Sequence, residues 1–350
     1  MKIITLSKLI SKGIKVSRQE TYYPEKIRKS LLNRIVDNII WIFKYREFNE
    51  FYNLYGMDIK GTKVLDSNYA DHRNFNEKRR ELRYDITSHS ILVRDKLLFY
   101  RYMNEIGLPT PVVFAIIFDG NVLDLNFEPI DINIFMERKN YFIKRVYDGG
   151  GTGVIKIHDF EEYNKNKNKF TKGFFIIQES VEQHEKMKQL NPQSVNTIRL
   201  LTVIDKNRKV RLFSQFLRIG TKKSGNVDNW SYGSILIGIN EDGYLQKFGF
   251  YKMGLGTKTN IHPDSKIKFD TFQIPYYTQA VEAAIKAHKF FYGSHSIGWD
   301  IAIVDDGYIF IEGNDNWDLQ PIQFIHGGFK KEILDLMKKF RVFQKEITGF

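Results

Sequence analysis

The chain has 350 residues, a formal net charge of +12 at pH 7, 42% hydrophobic residues and no cysteine. This length suits two or three domains or one multi-lobed enzyme, and the hydrophobic content is that of a globular protein. The lack of cysteine excludes disulfides, zinc–thiolate sites and a thiol nucleophile, and it fits a reducing compartment.

Residues 1–88 are predicted to form a helical, basic region without a catalytic motif. The first fifty residues contain 11 Lys or Arg and 5 Asp or Glu, a surplus of 6 that is half of the net charge. Between Lys26 and Arg46 apolar residues recur at helical spacing. This helix is predicted either to pack on the core with a basic face in solvent or to lie on a membrane surface, and packing is the favoured alternative.

The basic charge is not accompanied by a nucleic-acid-binding module, so no nucleic-acid partner is expected. Lysines interrupt the apolar runs near the amino terminus, and neither a signal peptide nor a membrane span is evident. We therefore predict a cytoplasmic protein; peripheral contact at the inner face of the membrane, through the basic region, is the less favoured alternative. No oligomeric state is predicted.

A helix that begins near Ser90 is predicted to carry Lys96 and to end at Gly107. The segment Tyr141–Ile157 then reads as strand, glycine loop and strand. The loop, DGGGTG, exposes backbone N–H groups and lets an anion approach closely. It does not lead into a helix, as P-loops and dinucleotide-binding loops do, and the catalytic motifs of protein kinases are missing. We predict a flap over phosphates, with Lys144 on the preceding strand; the alternative is a flexible hairpin with a solvated lysine.

Strands dominate from Thr197 onward, interrupted by predicted helices at about 276–292 and 330–343. The predicted class is α+β with mainly antiparallel sheets. The eight histidines show no metal-ligand spacing. A nucleophile elbow is also missing, so zinc-protease and serine-hydrolase chemistry are disfavoured.

A hairpin near the carboxyl end, residues 298–314, places two acids and an amide among apolar residues. If Asp305–Gly307 is a three-residue loop, Asp300 faces Glu312, and Asn314 shares a face with Glu312. A hard cation such as Mg2+ would relieve the cost of burying both carboxylates. A two-residue loop would put Glu312 on the other face, and the simpler alternative is a solvated hairpin end with ordinary surface acids.

In this order of elements the chain resembles the ATP-grasp superfamily, and more narrowly the sugar-transfer-associated ATP-grasp proteins found with bacterial polysaccharide genes. The resemblance covers about residues 88–323 and rests on the stretches VNTIRLLTV, FLRIG, VDNWSYGS, HPDSKIKF, IGWDIAI and IEGNDNWDLQ. It implies an ATP-grasp fold with mixed or antiparallel sheets in two lobes that clamp a nucleotide. The implied units are a helical basic region at 1–88, a first lobe at 89–180 and a second lobe at 181–350.

The resemblance also implies a role for each site residue. Two lysines hold nucleotide phosphates, four glycines form the flap, the connector between the lobes takes adenine and ribose, three oxygen donors bind Mg2+, and two arginines face the transferred phosphate. In that order these residues are Lys96 and Lys144; Gly149, Gly150, Gly151 and Gly153; Gln178, Glu179, Val181, Glu182 and His184; Asp300, Glu312 and Asn314; and Arg199 and Arg218. Ser234 departs from the family pattern, which has a second glycine there in the loop expected to bind the acceptor.

The implied activity is an ATP-dependent ligase, with ATP and two Mg2+ ions, that joins a carboxylate to an amine through an acyl-phosphate. The link to polysaccharides suggests a uronic-acid carboxylate of a glycan or its precursor, and an amino acid or other amine. Asn229, Trp230 and Tyr232 are predicted to contact the sugar; the alternative for the two aromatic residues is loop packing. A sugar or glycan kinase and a non-catalytic nucleotide- or glycan-binding module are the rival functions.

Overall fold

The computed structural model describes residues 6–65, 69, 87–135, 140–147, 153–205, 207–225, 230–252, 254–332 and 335. Within these residues the helices are α1 Leu6–Ser17, α2 Leu31–Tyr45, α3 Thr87–Arg94, α4 Lys96–Glu105, α5 Phe160–Asn166, α6 Glu185–Leu190, α7 Tyr277–Phe290 and α8 Leu319–His326. The strands are β1 Val113–Phe118, β2 Asn121–Leu123, β3 Tyr141–Arg145, β4 Val154–Ile157, β5 Phe174–Glu179, β6 Thr197–Ile204, β7 Val210–Ile219, β8 Ile235–Ile239, β9 Leu245–Phe250, β10 Lys258–Thr259, β11 Ser296–Val304 and β12 Gly307–Asn314.

The amino-terminal region begins with two helices that pack against each other in antiparallel directions. A Cβ atom at Gly13 on α1 would lie 2.9 Å from Ile42 Cδ1 on α2, so the helix backbones approach closely here. Ser17 Oγ donates a hydrogen bond to the carbonyl of Arg34 at 3.1 Å. The predicted helical amino-terminal region is present, and its second helix begins at Leu31.

The first sheet has five strands in the order β2-β1-β5-β3-β4, and each neighbouring pair is antiparallel. Strands β3 and β4 form the hairpin around the glycine loop, with Lys144 paired to Val154. This confirms the predicted strands on both sides of the loop. Loop residues 148–152 lie outside the described residues.

The second sheet has seven strands in the order β10-β9-β8-β7-β6-β11-β12, again antiparallel throughout. Helix α7 covers one face through its small side chains, in a cluster with Leu200, Ile198 and Ile301. The amino-terminal region covers the other face, where its aromatic and aliphatic side chains pack on Leu201 and Val203. Because strand side chains alternate, each face of this central sheet is buried by a different part of the chain.

The two antiparallel sheets and their covering helices confirm the predicted α+β class. The helix predicted at about 276–292 is α7, whereas most of the helix predicted at about 330–343 lies outside the described residues. Among the helices that are described, none is long and apolar enough to cross a membrane.

Candidate active site

The hairpin β11–β12 places Asp300 opposite Glu312, as predicted, but through different geometry. Val304 pairs with Gly307, so the loop has two residues and the predicted three-residue loop is wrong. Gly307 takes a φ of +148° and enters the strand, which a residue with a Cβ atom rarely does. A bulge at Ile311 then adds one residue to β12 and brings Glu312 back opposite Asp300.

Three oxygen-bearing side chains lie together at this end of the hairpin. Asn314 Nδ2 donates to Glu312 Oε1 at 3.0 Å, so these two residues share a face. Burial raises the pKa of Glu312, and the negative charge of Asp300 raises it further. A divalent cation relieves the repulsion between two close carboxylates that are shielded from water, so this donor set fits Mg2+.

The donor set consists of two carboxylates and one amide. The described part of the chain holds no cluster of three or more His, Cys, Asp or Glu side chains placed to bind a metal. Mg2+ is usually bound by one or two carboxylates together with phosphate oxygens and water. The site therefore suits a cation that arrives with a phosphate ligand better than one held by protein alone.

Two arginines hold Asp300 from the neighbouring strands. Arg199 on β6 pairs with both carboxylate oxygens, through Nε to Oδ1 and through Nη2 to Oδ2 at 2.9 Å. Arg218 on β7 reaches Oδ2 at 2.8 Å and also donates to Thr197 Oγ1. Asp300 is only 1% exposed. Burial alone would raise its pKa, but the positive charges of Arg199 and Arg218 outweigh that effect and hold the pKa at about 2.

Lys144 approaches this cluster from the first sheet. Its Nζ donates to Gln178 Oε1 at 2.7 Å. Burial lowers the pKa of Lys144 to about 8; the negative charge of Glu312 opposes the shift, and the positive charge of Lys96 adds to it. Lys144 therefore lies within electrostatic reach of both Lys96 and Glu312.

Lys96 is placed by the start of helix α4. Asp95 caps the helix by accepting from the backbone N–H groups of Leu97 and Leu98, at 3.0 and 2.9 Å. The backbone N–H of Lys96 donates to the carbonyl of Val146 at 3.0 Å, directly after strand β3. One helix start therefore positions Lys96 next to the strand that carries Lys144.

The segment from Gln178 to His184 connects the two sheets. Gln178 Nε2 donates to the carbonyl of Pro111 at 3.1 Å, within the first lobe. The backbone N–H of His184 donates to the carbonyl of Ile303 on β11 at 2.8 Å, and the His184 side chain caps α6. Between them, Glu179 ends β5 and accepts from the Val112 N–H at 2.6 Å. The predicted connector between the lobes is thus anchored at both ends.

The remaining predicted site residues differ in how the structure places them. Gly153 is described, with φ of +77°, whereas Gly149, Gly150, Gly151 and Asn229 lie outside the described residues. Glu182 points to solvent and pairs with Lys188 at 3.0 Å. Val181 is partly buried within the connector.

The aromatic residues predicted to contact a sugar are placed differently from each other. Trp230 is 8% exposed, its Nε1 donates to the carbonyl of Phe250 at 3.0 Å, and its ring stacks on Phe51. Loop packing therefore describes Trp230 better than sugar contact. Tyr232 is 61% exposed and is accessible to a ligand.

Sequence reasoning missed an ion pair between Arg94 and Asp315. Arg94 Nε and Nη2 reach the two oxygens of Asp315, each at 2.8 Å. The pair ties the residue before the α4 cap to the residue after Asn314, and so links the helix start of Lys96 to the end of strand β12. The available signal was position, since Asp315 directly follows Asn314 and Arg94 lies two residues before Lys96.

Comparison with known proteins gives one family and several distant folds. The model of the sugar-transfer-associated ATP-grasp family matches residues 76–335. A search of curated protein sequences finds no match. A solved D-alanine–D-alanine ligase from Bacillus anthracis is similar at 12% identity and a TM-score of 0.45, over 73% of this chain and 70% of that one. The same enzyme from Coxiella burnetii is similar at 10% identity and a TM-score of 0.47, over 75% and 62%. The ATP-grasp ligase PsnB, solved with a precursor peptide and AMPPNP, is similar at 13% identity and a TM-score of 0.41, over 75% and 62%.

Proposed function

Because this chain belongs to the sugar-transfer-associated ATP-grasp family, we propose that it is an ATP-dependent ligase that joins a carboxylate to an amine through an acyl-phosphate. The observation that carries the proposal is that Lys144 on the first sheet lies within electrostatic reach of Glu312, which stands opposite Asp300 and its two arginines on the second. Phosphoryl transfer depends on positioning and on charge neutralisation, and this cluster offers cations for phosphates and carboxylates for a metal.

The proposed nucleotide site spans the junction of the lobes. Lys96 and Lys144 bind the phosphates, and the glycine flap covers them through Gly149, Gly150, Gly151 and Gly153. The connector binds adenine and ribose through Gln178, Glu179, Val181, Glu182 and His184. Support comes from the connector, which is bonded to both lobes, and from the buried amine of Lys144, whose lost hydration a phosphate would replace.

Asp300, Glu312 and Asn314 are the proposed Mg2+ ligands, for two ions bound together with ATP. Bound Mg2+ would supply neutralisation of the phosphate charge. A carboxylate has room for about four hydrogen bonds or ligands, and the arginines occupy three positions on Asp300. The remaining hydrogen-bonding capacity of Asp300 is used by Glu312, which is also bonded to Asn314. Mg2+ would replace this contact between the two carboxylates.

The proposed reaction has two steps. An oxygen of the substrate carboxylate attacks the γ-phosphorus of ATP, and the bond from that phosphorus to ADP breaks. The amine nitrogen then attacks the acyl carbon, the bond to phosphate breaks, and the amine loses a proton. Arg199 and Arg218 neutralise the transferred phosphate, and closure of the flap keeps water from the acyl-phosphate.

The proposed substrates are a uronic-acid carboxylate of a bacterial polysaccharide, or of its precursor, and an amino acid or similar amine. The association of the family with sugar transfer and the exposed ring of Tyr232 support a sugar as one substrate. We also propose residues 1–88, 89–180 and 181–350 as the structural units, and the cytoplasm, where ATP is available, as the location.

The test is release of ADP and phosphate across a panel of uronic acids, nucleotide-linked uronates and amino acids, with mass spectrometry of the product. An amide product with both ADP and phosphate is the expected result. A phosphorylated product without free phosphate would instead support a glycan kinase. Binding of nucleotide or glycan without turnover on any acid and amine pair would support a binding module.

A further inference from the structure

Helix α2 presents an apolar stripe to solvent. Leu32, Val36, Ile40 and Phe43 are 70%, 44%, 37% and 53% exposed. Their spacing of four, four and three residues places them along one side of the helix; we call these four residues the outer stripe. Ile27, just before the helix, is 73% exposed and extends the apolar surface. Exposed apolar residues scattered singly need no explanation, but a contiguous patch of this kind marks an interaction surface.

Polar contacts on the inner side of α2 hold the stripe outward. Asn38 is 1% exposed, and its Nδ2 donates to Ser17 Oγ at 3.0 Å. Asp37 accepts from Lys29 and from the hydroxyl of Tyr52, both at 2.6 Å. Turning the helix inward by its stripe would break these bonds and leave buried polar groups unsatisfied. The exposed apolar face is therefore built into the packing of the region.

Positive charge accompanies the stripe. Lys44 and Arg46 are exposed at the carboxyl end of α2, and Lys26 is exposed next to Ile27, five residues before the helix begins. Helix α1 carries three lysines and no acid, and the single acid of α2, Asp37, is already paired with Lys29. An apolar stripe flanked by cations is typical of helices that lie in the interface of an anionic membrane.

We propose that the α1–α2 surface docks on a bilayer that contains anionic phospholipid, with the outer stripe at the boundary between headgroups and acyl chains. Charge selects this occupant: a second copy of the chain would bring the same positive charge, and a soluble polyanion would leave the stripe exposed. This inference does not depend on the ligase activity.

The amino-terminal region that would dock on the membrane also contacts the loop that carries Trp230 and Tyr232. Phe51, in the same amino-terminal region, stacks on Trp230 at a ring-centroid distance of 6.3 Å. Tyr22 from this region donates to the carbonyl of Tyr251 at 3.1 Å. The membrane-docking region is thus joined directly to the loop that carries Tyr232.

The experiment measures cosedimentation of the full chain with vesicles of phosphatidylcholine alone and of phosphatidylcholine with phosphatidylglycerol. Binding is expected to the anionic vesicles and to weaken with salt. The double variant Leu32→Gln/Phe43→Gln should bind at least about tenfold more weakly, because two apolar side chains no longer enter the interface. The charge variant Lys26→Glu/Lys44→Glu should also bind the anionic vesicles more weakly than the wild type does. Its binding to vesicles of phosphatidylcholine alone should be unchanged.

The matched control is Leu255→Gln/Phe290→Gln, which replaces the same residue types at positions 42% and 39% exposed elsewhere. It should bind like the wild type. Leu32 and Phe43 are more than half exposed, so their variant should fold, and thermal melting verifies this. Failure of the wild type to bind anionic vesicles, or equal binding by Leu32→Gln/Phe43→Gln, overturns the proposal. The proposal is also overturned if the wild type forms a dimer and does not bind vesicles, and if Leu32→Gln/Phe43→Gln abolishes that dimer.

Discussion

At the scale of single residues, Asp300 combines two tasks. Its carboxylate holds Arg199 and Arg218 in the resting protein, and it is the proposed ligand of a cation. Glu312 is held differently. Its carboxylate accepts from Asn314 and feels the negative charge of Asp300, and none of the described hydrogen bonds joins it to an arginine. A substitution at Glu312 therefore tests the metal site with less structural disturbance than one at Asp300.

The first prediction concerns Glu312→Gln. Loss of one carboxylate from the proposed metal site should reduce ADP release at least about 100-fold, since charge stabilisation is a large part of phosphoryl transfer. Stability should not fall. The folded pKa of Glu312 lies above the ordinary 4.5, so in the metal-free protein its ionisation weakens folding as pH rises above 4.5. The variant should therefore melt at the same or a higher temperature at pH 7.5, and this gain should vanish near pH 4.

The control for this prediction is Glu241→Gln, which removes an exposed acid from the turn between β8 and β9. It should change neither ADP release nor melting temperature. Turnover by Glu312→Gln at the wild-type rate would refute the proposed role of Glu312.

The second prediction concerns the pH dependence of nucleotide binding. The amine of Lys144 has a pKa of about 8 because it is buried, and only its protonated form attracts phosphate. The dissociation constant for ADP, measured by calorimetry, should rise by up to about tenfold from pH 7 to pH 9. In Lys144→Arg the guanidinium stays charged over this range, so the constant should be nearly flat. A flat profile in the wild type would contradict the assignment of Lys144 to the phosphates.

At the scale of secondary-structure elements, Asp300 joins three adjacent strands. It lies on β11, Arg199 lies on β6 and Arg218 on β7, and these strands are neighbours in the second sheet. The cluster acts as a cross-strand tie in the middle of the sheet. Removing its negative charge breaks the ion pairs with both guanidinium groups.

The third prediction follows for Asp300→Asn. The free energy of unfolding in urea should fall by about 3–5 kcal/mol, the usual cost of breaking a buried ion pair from one side. Glu182→Gln, which breaks an ion pair on the surface, should leave the urea midpoint unchanged. An equally small effect at both positions would show that the arginine cluster does not stabilise the sheet.

The fourth prediction concerns the start of helix α4. Asp95→Ala removes the cap that orients Lys96 and should cost about 1 kcal/mol of stability. It should also weaken ADP binding several-fold, whereas Asp95→Asn should restore both. Asp159 caps α5 by accepting from Glu162 N at 2.8 Å, so Asp159→Ala is a matched control. Asp159→Ala should lose similar stability and keep wild-type ADP affinity. Equal ADP binding by both alanine variants would show that the Asp95 cap does not position Lys96 for ADP.

At the scale of the whole molecule, the amino-terminal region is part of the main core although the family match begins only at residue 76. Its side chains pack against the central sheet in one cluster, which includes Trp41, Tyr52, Leu54, Leu201, Val203 and Phe216. Polar contacts reinforce this packing, as between Lys258 and Glu25 at 3.0 Å. The region is therefore a cover for one face of the second sheet.

The fifth prediction is that a chain without residues 1–65 will aggregate. The truncation exposes apolar residues of β6, β7 and β8 that the region now buries, and a large exposed apolar sheet face promotes association. Light scattering during refolding is the measurement. Adding residues 1–65 as a separate peptide should restore solubility. A monomeric truncated chain with the wild-type urea midpoint would show that the region is dispensable for the core.

The sequence alone determined the features that depend on local pattern. Alternation of apolar residues located the strands around the glycine loop and the pairing of Asp300 with Glu312. Even there, the correct pairing was reached through a three-residue loop, whereas the protein uses a two-residue loop and a bulge at Ile311. The shorter loop shifts the strand pairing by one residue, and the bulge shifts it back. The alternation of apolar residues does not distinguish a bulge from a longer loop.

Only the tertiary structure decided which distant groups meet. It placed two arginines on Asp300, brought Lys144 within reach of Glu312, paired Arg94 with Asp315 and buried Trp230 against Phe51. It also turned the apolar stripe of α2 toward solvent, where periodicity alone favoured a helix docked by its apolar face. Periodicity reports that a helix or strand has two different faces. Which face is buried depends on the charges and shapes of the elements packed against it, and these come from remote parts of the chain.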